Sequence, residues 1–228
     1  MTYDLLIADR SYSSWSLRGW LCLAAFDLPH TLTETRMYTA GFRDDLAAFA
    51  PGLTGAAAPR TVPMLRLPEG GILSDSLAIA ETLAERHPEA GLWPADPVAR
   101  ALARSLVSEM HSGFTALREA CPMNLSVAYR GVPVSEAVRA DLDRLEALWA
   151  ACPAEGPWLF GDYTLADAFF APVAMRIAGY GLSVGAQAQA YVAAHLAHGL
   201  LRDWRAKGLA QAEQSTYLRD FETVDWPG

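Results

Sequence analysis

The patterning of the chain changes once, across HPEAGLWPADP (His87 to Pro97), where three prolines fall within eleven residues. Proline removes a backbone donor and fixes φ, so such a run interrupts periodic structure and reads as a linker. Before it, strand-like and helix-like segments alternate. YDLLIA (Tyr3–Ala8) predicts a buried strand, and Trp15–Phe26 predicts a helix, with Trp15, Leu17, Leu21, Ala24 and Ala25 near helical spacing. Thr31–Met37 alternates polar and apolar as a second strand does, and Phe42–Phe49 predicts a short helix before the loop PGLTGAAAPR. Val62–Leu67 and Ile72–Leu73 flank a turn at Glu69–Gly71, a hairpin pattern. Asp75–Arg86 places Leu77, Ala80, Leu83 and Ala84 on one helical face.

After the linker every periodic segment is helical. Leu102, Leu106, Met110, Phe114 and Leu117 mark one helix; Val138, Leu142, Leu145 and Trp149 mark another. Leu165–Ala178 is apolar nearly all round, as a buried central helix is. Two more helices are expected around Ala188–His198 and Leu200–Gln211. The predicted fold class is α/β plus all-α: a βαβαββα domain over residues 1–87, a linker over 88–97, and a helical bundle over 98–228.

Composition narrows the function classes. With 52% hydrophobic and 19% charged residues the chain should be globular, and its net charge of -8 argues against a nucleic-acid partner. The start, MTYDLLIADR, has no basic region and too short an apolar run for a signal peptide, and no stretch reaches the roughly 18–20 apolar residues of a membrane span. Cys22, Cys121 and Cys152 are scattered and form no CxxC, so neither a zinc knuckle nor a dithiol redox site is encoded. A cytoplasmic protein, with no metal and no membrane partner, is expected.

Five motifs carry chemistry or imitate it. SYSSWSLRGWL (Ser11–Leu21) puts four serines in six positions at a strand-to-helix turn, more hydroxyls than capping requires. TVPML (Thr61–Leu65) has a proline beside an incoming strand; a cis Val62–Pro63 bond would turn the Val62 backbone outward for an extended peptide, and the local sequence leaves the isomer open. In SDSLAIAETL, Ser74, Asp75 and Ser76 open a helix, where a serine and backbone amides bind a carboxylate while Asp75 accepts from an ammonium. GLSVG (Gly181–Gly185) fits the hydrolase elbow GxSxG, but a helix precedes it, and His195 and His198 come before Asp203, the reverse of that fold's order. YTLAD (Tyr163–Asp167) reads as a capping box.

These pieces, in this order and over nearly the whole chain, resemble the glutathione S-transferase family. SSWSLR is similar to the serine motif of the zeta-like bacterial branch, which includes maleylacetoacetate isomerases. It departs from that branch's SSCSWRVR by having no cysteine in the turn. The resemblance implies a thioredoxin-like N-terminal domain and a helical C-terminal domain, with glutathione as co-substrate. Trp15, Thr61, Val62 and Pro63 would line the tripeptide, with Val62 pairing its cysteinyl backbone, and Asp75 and Ser76 would hold its γ-glutamyl head. A serine of the turn, Ser13 ahead of Ser11 and Ser14, would donate to the sulfur and favour the thiolate. The second substrate would be a small hydrophobic electrophile, with Met110, His111, Phe114 and Arg118 as candidates on its side. A detoxifying transferase acting as a homodimer is the implied whole. A non-catalytic glutathione-binding or protein-interaction module on the same scaffold is the alternative.

Overall fold

The computed structural model describes residues 2–153 and 156–228, and the chain divides into two units, Met1–Leu92 and Trp93–Gly228. The first contains a four-stranded sheet of order β2-β1-β3-β4, formed by β1 (Tyr3–Ala8), β2 (His30–Thr35), β3 (Met64–Arg66) and β4 (Ile72–Leu73). Strands β1 and β2 run parallel, which requires the crossover helix α1 (Ser14–Ala24), whereas β3 is antiparallel to both β1 and β4. Helix α2 (Phe42–Phe49) sets Leu46 and Phe49 against Leu6, Ala8, Val62 and Met64. Helix α3 (Ser76–Arg86) packs on α1. The element order is βαβαββα, and the unit has the thioredoxin-like form expected of it.

One close approach fixes where α1 lies. A Cβ on Gly19 would sit 2.6 and 2.7 Å from Cγ and Cβ of Pro63. Gly19→Ala therefore sets two effects against each other. Helix propensity favours alanine by about 1 kcal/mol, while forcing volume into a packed contact typically costs about 1–3 kcal/mol. The obstructing atoms belong to a ring held by backbone at both ends, not to the far end of a flexible side chain, so the clash should win. Urea unfolding of Gly19→Ala should show a lower midpoint than the parent; an unchanged or higher midpoint would show that the Pro63 segment gives way.

The second unit holds α4 (Pro97–Ser112), α5 (Thr115–Ala120), α6 (Glu136–Ala150), α7 (Leu165–Gly179), α8 (Ala186–Ala197) and α9 (Gly199–Leu209). Helix α7 is buried along almost its entire length and packs on α4 and α8, so it is the central helix its apolar pattern predicts. Two elements depart from the sequence reading. The helix expected through Leu102–Leu117 is broken: α4 ends at Ser112 with Gly113 as its C-cap, and Phe114 takes a left-handed conformation (φ +56°) before α5 begins. Hydrophobic spacing continues across the break, with Met110, Phe114 and Leu117 all buried, so periodicity hid it. The structure also pairs β5 (Ala128–Arg130) antiparallel with β6 (Glu222–Val224), and the Arg130–Glu222 ion pair closes that ribbon.

Candidate functional site

The serine turn is built by Asp9. Its main-chain oxygen accepts from the amides of Tyr12 and Ser13, which folds the chain back after β1. Its buried carboxylate reaches the other way, to Arg36 Nε at 2.6 Å and the Met37 amide at 2.7 Å, and so ties the β2–α2 loop to the turn. One acid that the sequence reading passed over thus places two chain segments side by side. Arg10, the next residue, pairs with Glu34 at 2.5 Å and ties the turn to β2 as well.

Within the turn the hydroxyls have separate tasks. Ser13 is the N-cap of α1: its Oγ accepts from the Ser16 amide at 3.2 Å and donates to Ser16 Oγ at 2.8 Å. Ser16 Oγ in turn accepts from the Ala8 amide at 2.9 Å, so the chain of hydroxyls ends on the last residue of β1. Ser14 is the first helical residue. Ser11 Oγ is buried and has no hydrogen-bond partner. Behind the turn, Arg18 is buried and stacks on the Trp15 ring at 4.6 Å.

Val62–Pro63 is cis. The pairing of β1 with β3 ends at Leu6–Met64, so the Val62 backbone lies beyond the last sheet pair. Ser13, Trp15, Thr61 and Val62 meet along one cleft of about 540 Å³. Its other wall is the β2–α2 segment held by Asp9, comprising Met37, Tyr38, Thr39, Ala40, Phe42 and Arg43, with Arg60 at the near edge. The sequence pattern gave no sign of these wall residues. Tyr38 could have drawn attention only in retrospect, as a non-glycine with φ +61° that is 68% exposed.

Asp75 caps α3, Oδ1 accepting from the amides of Leu77 and Ala78 at 2.8 and 3.0 Å. The next residue, Ser76, is buried, and its Oγ has no hydrogen-bond partner. A buried hydroxyl without a partner is uncommon, since each unsatisfied group costs on the order of 1–3 kcal/mol. At a helix N-terminus it faces the positive end of the dipole, where an anionic ligand group is favoured.

The three cysteines lie away from the cleft lining and are buried. Burial pushes Cys22 to about 12, Cys121 to about 11 and Cys152 to about 12, the last aided by the nearby Asp167 charge. Burial thus keeps all three in the neutral thiol form, which is the less nucleophilic one.

The four residues expected on the electrophile side all lie in the helical unit. Met110 and Phe114 are buried there, and His111 tilts against the Phe169 ring at 6.5 Å. Arg118 donates to the carbonyl oxygens of His111 and Gly113, closing the end of α4, and burial lowers its pKa. GLSVG forms the loop between α7 and α8, and the Ser183 carbonyl accepts from Arg139. Among the described residues no helix is long and apolar enough to cross a membrane, and no acid, histidine and cysteine cluster could hold a metal ion.

Residues 12–86 match the glutathione S-transferase N-terminal domain family. The chain has the glutathione S-transferase fold. A glutathione transferase homologue from Burkholderia gl BGR1, solved with bound glutathione, aligns with TM-score 0.66 and 23% identity over 91% of this chain and 98% of its own. A maleylacetoacetate isomerase from Anaeromyxobacter dehalogenans 2CP-1, also with bound glutathione, aligns with TM-score 0.62 and 26% identity over 93% of this chain and 98% of its own. Glutathione transferase Omega 3C from Trametes versicolor aligns with TM-score 0.64 and 19% identity over 95% and 91%. No curated protein matches the sequence. The transferase fold accounts for the thioredoxin-like unit, the helical unit and their order along the chain.

Proposed function

We propose that this chain binds glutathione in its N-terminal unit, holds the thiol as thiolate, and transfers it to a small organic electrophile. The observation that carries the proposal is the shared cleft. Four residues chosen from two distant motifs, Ser13 and Trp15 in the serine turn and Thr61 and Val62 in TVPML, line one cavity in the described structure. Glutathione-bound relatives of the same fold make the tripeptide the natural occupant.

In this reading the backbone of Val62 pairs with the cysteinyl residue as an added strand would. The γ-glutamyl carboxylate takes the Ser76 hydroxyl and the amides at the start of α3, and its ammonium takes Asp75. The sulfur then lies at the start of α1. A free thiol has pKa near 8.5, so only a few per cent is ionised at pH 7; lowering it by one to two units makes thiolate a major species. A serine hydroxyl and the N-terminal end of α1 both favour that anion. The thiol proton leaves to solvent, the sulfur forms its bond to the electrophilic carbon, and the leaving group departs with the electron pair. A cytoplasmic homodimer with a detoxifying role belongs to the same proposal.

Glutathione at 100 times its dissociation constant should stabilise the fold by about 2.7 kcal/mol, visible as a rise in melting temperature. Melting curves that stay fixed up to millimolar glutathione would sink the reading. Asp75→Asn sharpens the test, because asparagine caps a helix as well as aspartate does. The fold should therefore survive while affinity falls by about 1.5–3 kcal/mol with the loss of a charge-assisted bond. Unchanged affinity would reduce Asp75 to its capping role.

A further inference from the structure

Two hydroxyls of the serine turn hold more protons than they have acceptors within the protein. Ser16 is fully buried, and its Oγ lies 2.9 Å from the Ala8 amide and 2.8 Å from Ser13 Oγ. Among the described residues these are the only polar groups its hydroxyl meets. The Ala8 amide can only donate, so the Ser16 proton has one acceptor to go to, Ser13 Oγ. Ser13 Oγ in turn meets Ser16 alone: it accepts from the Ser16 amide at 3.2 Å and shares the 2.8 Å contact. One proton fills a contact between two oxygens, and the pair carries two. While Ser13 donates, the Ser16 proton is left in the interior with no acceptor. If Ser16 donates instead, its amide and hydroxyl fill both lone pairs of Ser13, and the Ser13 proton is the one released. That proton has an outlet, because Ser13 lines the cleft and Ser16 is absent from its lining.

We propose that Ser16 is a positioning residue for the thiol: when a thiolate occupies the cleft the hydroxyl pair reverses, Ser16 donating to Ser13 Oγ and Ser13 donating to the sulfur. The inference rests on the transferase reading above and adds the residue that aims the Ser13 proton. No proton leaves its oxygen in the reversal; two hydroxyls rotate, and the thiol proton goes to solvent as before. The Ala8 amide anchors Ser16 Oγ to the end of β1, so donors run in one sense from sheet to sulfur: Ala8 amide, Ser16 hydroxyl, Ser13 hydroxyl. Hydrogen bonds aligned in this way polarise one another, which strengthens the last of them, the one to the anion. A reversal also satisfies the Ser16 proton, so the buried imbalance of the empty cleft is relieved when the thiolate binds.

A double-mutant cycle on the full chain tests this, with thiolate absorbance of bound glutathione followed against pH. Ser16→Ala should raise the apparent pKa of the bound thiol by about half a unit, which is about threefold in thiolate. Binding of S-methylglutathione, which has the tripeptide but no ionisable thiol, should change by less than about twofold. In the Ser13→Ala background the same Ser16→Ala change should move the thiol pKa no further, because its effect passes through the Ser13 hydroxyl. A purely structural role predicts otherwise: lost stability in both backgrounds and no movement of the thiol pKa in either. Should Ser16→Ala fail to fold, Ser16→Cys takes its place, since a thiol fills the space but donates weakly, and the same direction and the same cycle are expected. An unmoved pKa in the Ser16 variant, beside a raised one in Ser13→Ala, would overturn the inference and leave the transferase reading standing. Equal shifts in both backgrounds would overturn it too, and would assign the effect to the backbone at the start of α1. If the parent binds glutathione without lowering its thiol pKa, or does not bind it, the thiolate reading falls and this inference with it.

Discussion

Asp167→Ala should lower the stability of the helical unit by about 3–5 kcal/mol, the range seen when a buried charged group is removed from its partners. The carboxylate is fully buried at the start of α7 and accepts four hydrogen bonds. Oδ1 takes the Leu159 amide at 3.1 Å and the Tyr191 hydroxyl at 2.9 Å. Oδ2 takes the Thr164 amide at 2.8 Å and the Thr164 hydroxyl at 3.1 Å, the returning half of the capping box that YTLAD announces. Burial pushes its pKa up, and the bonds from Thr164 and Leu159 oppose that push together with the nearby His195. Alanine would leave four donors facing an apolar hole, and each unsatisfied buried donor costs on the order of 1–3 kcal/mol. Asp167→Asn should lose less, because its carbonyl still serves one side while its amide nitrogen meets the donors of the other. Urea unfolding followed by tryptophan fluorescence measures both, since Trp149 and Trp158 ring the neighbouring Tyr191. A loss below about 1 kcal/mol for the alanine variant would mean that the site collapses or admits water, and that Asp167 acts as an ordinary cap.

The same acid illustrates how much of the molecule is legible in its sequence. Thr164 and Asp167 are three residues apart, so their interaction is local and can be read; Tyr191, 24 residues from Asp167, cannot. The helices and the βαβαββα order follow from periodicity, because each element buries one face whatever its neighbours are. The ribbon of β5 and β6 did not follow, since each strand has three residues and Arg130 is 92 positions from its partner Glu222. In the candidate site the division falls in the same place. The caps at Ser13 and Asp75 are written in their own helices. The isomer of Val62–Pro63, the clamp from Asp9 to Arg36 and Met37, and the gathering of Arg43, Arg60 and Tyr38 on one cleft all depend on contacts across the fold. Asp9 is 27 and 28 residues from Arg36 and Met37, and Arg60 is 17 from Arg43, too far apart for periodicity to link them.

Ser13→Ala should raise the apparent pKa of the bound glutathione thiol by a unit or more, lower turnover at pH 7 by about 10- to 100-fold, and leave glutathione affinity nearly unchanged. Ser13 faces the cleft, whereas Ser11 is absent from its lining. The Ser13 hydroxyl has one proton, now donated to Ser16 Oγ at 2.8 Å. Turning that proton to a thiolate exchanges a bond between neutral groups for a charge-assisted one, which is roughly twice as strong. Ser16 Oγ keeps the Ala8 amide, so the exchange leaves no acceptor stranded. The sulfur adds little to ground-state binding, and the thiolate carries the reaction; hence the effect falls on turnover and not on affinity. Ser13→Ala also removes the cap of α1, a loss of about 1 kcal/mol that Ser13→Gly, which caps better than alanine, should partly restore without restoring the thiol pKa. Ser11→Ala and Ser14→Ala complete the comparison, read by thiolate absorbance against pH. A shift confined to Ser11→Ala would move the donor to the hydroxyl that has no partner in the protein. Equal small shifts in all three would assign the thiolate to backbone amides at the start of α1. No shift in any variant, with turnover intact, would leave the hydroxyls as helix caps and nothing more.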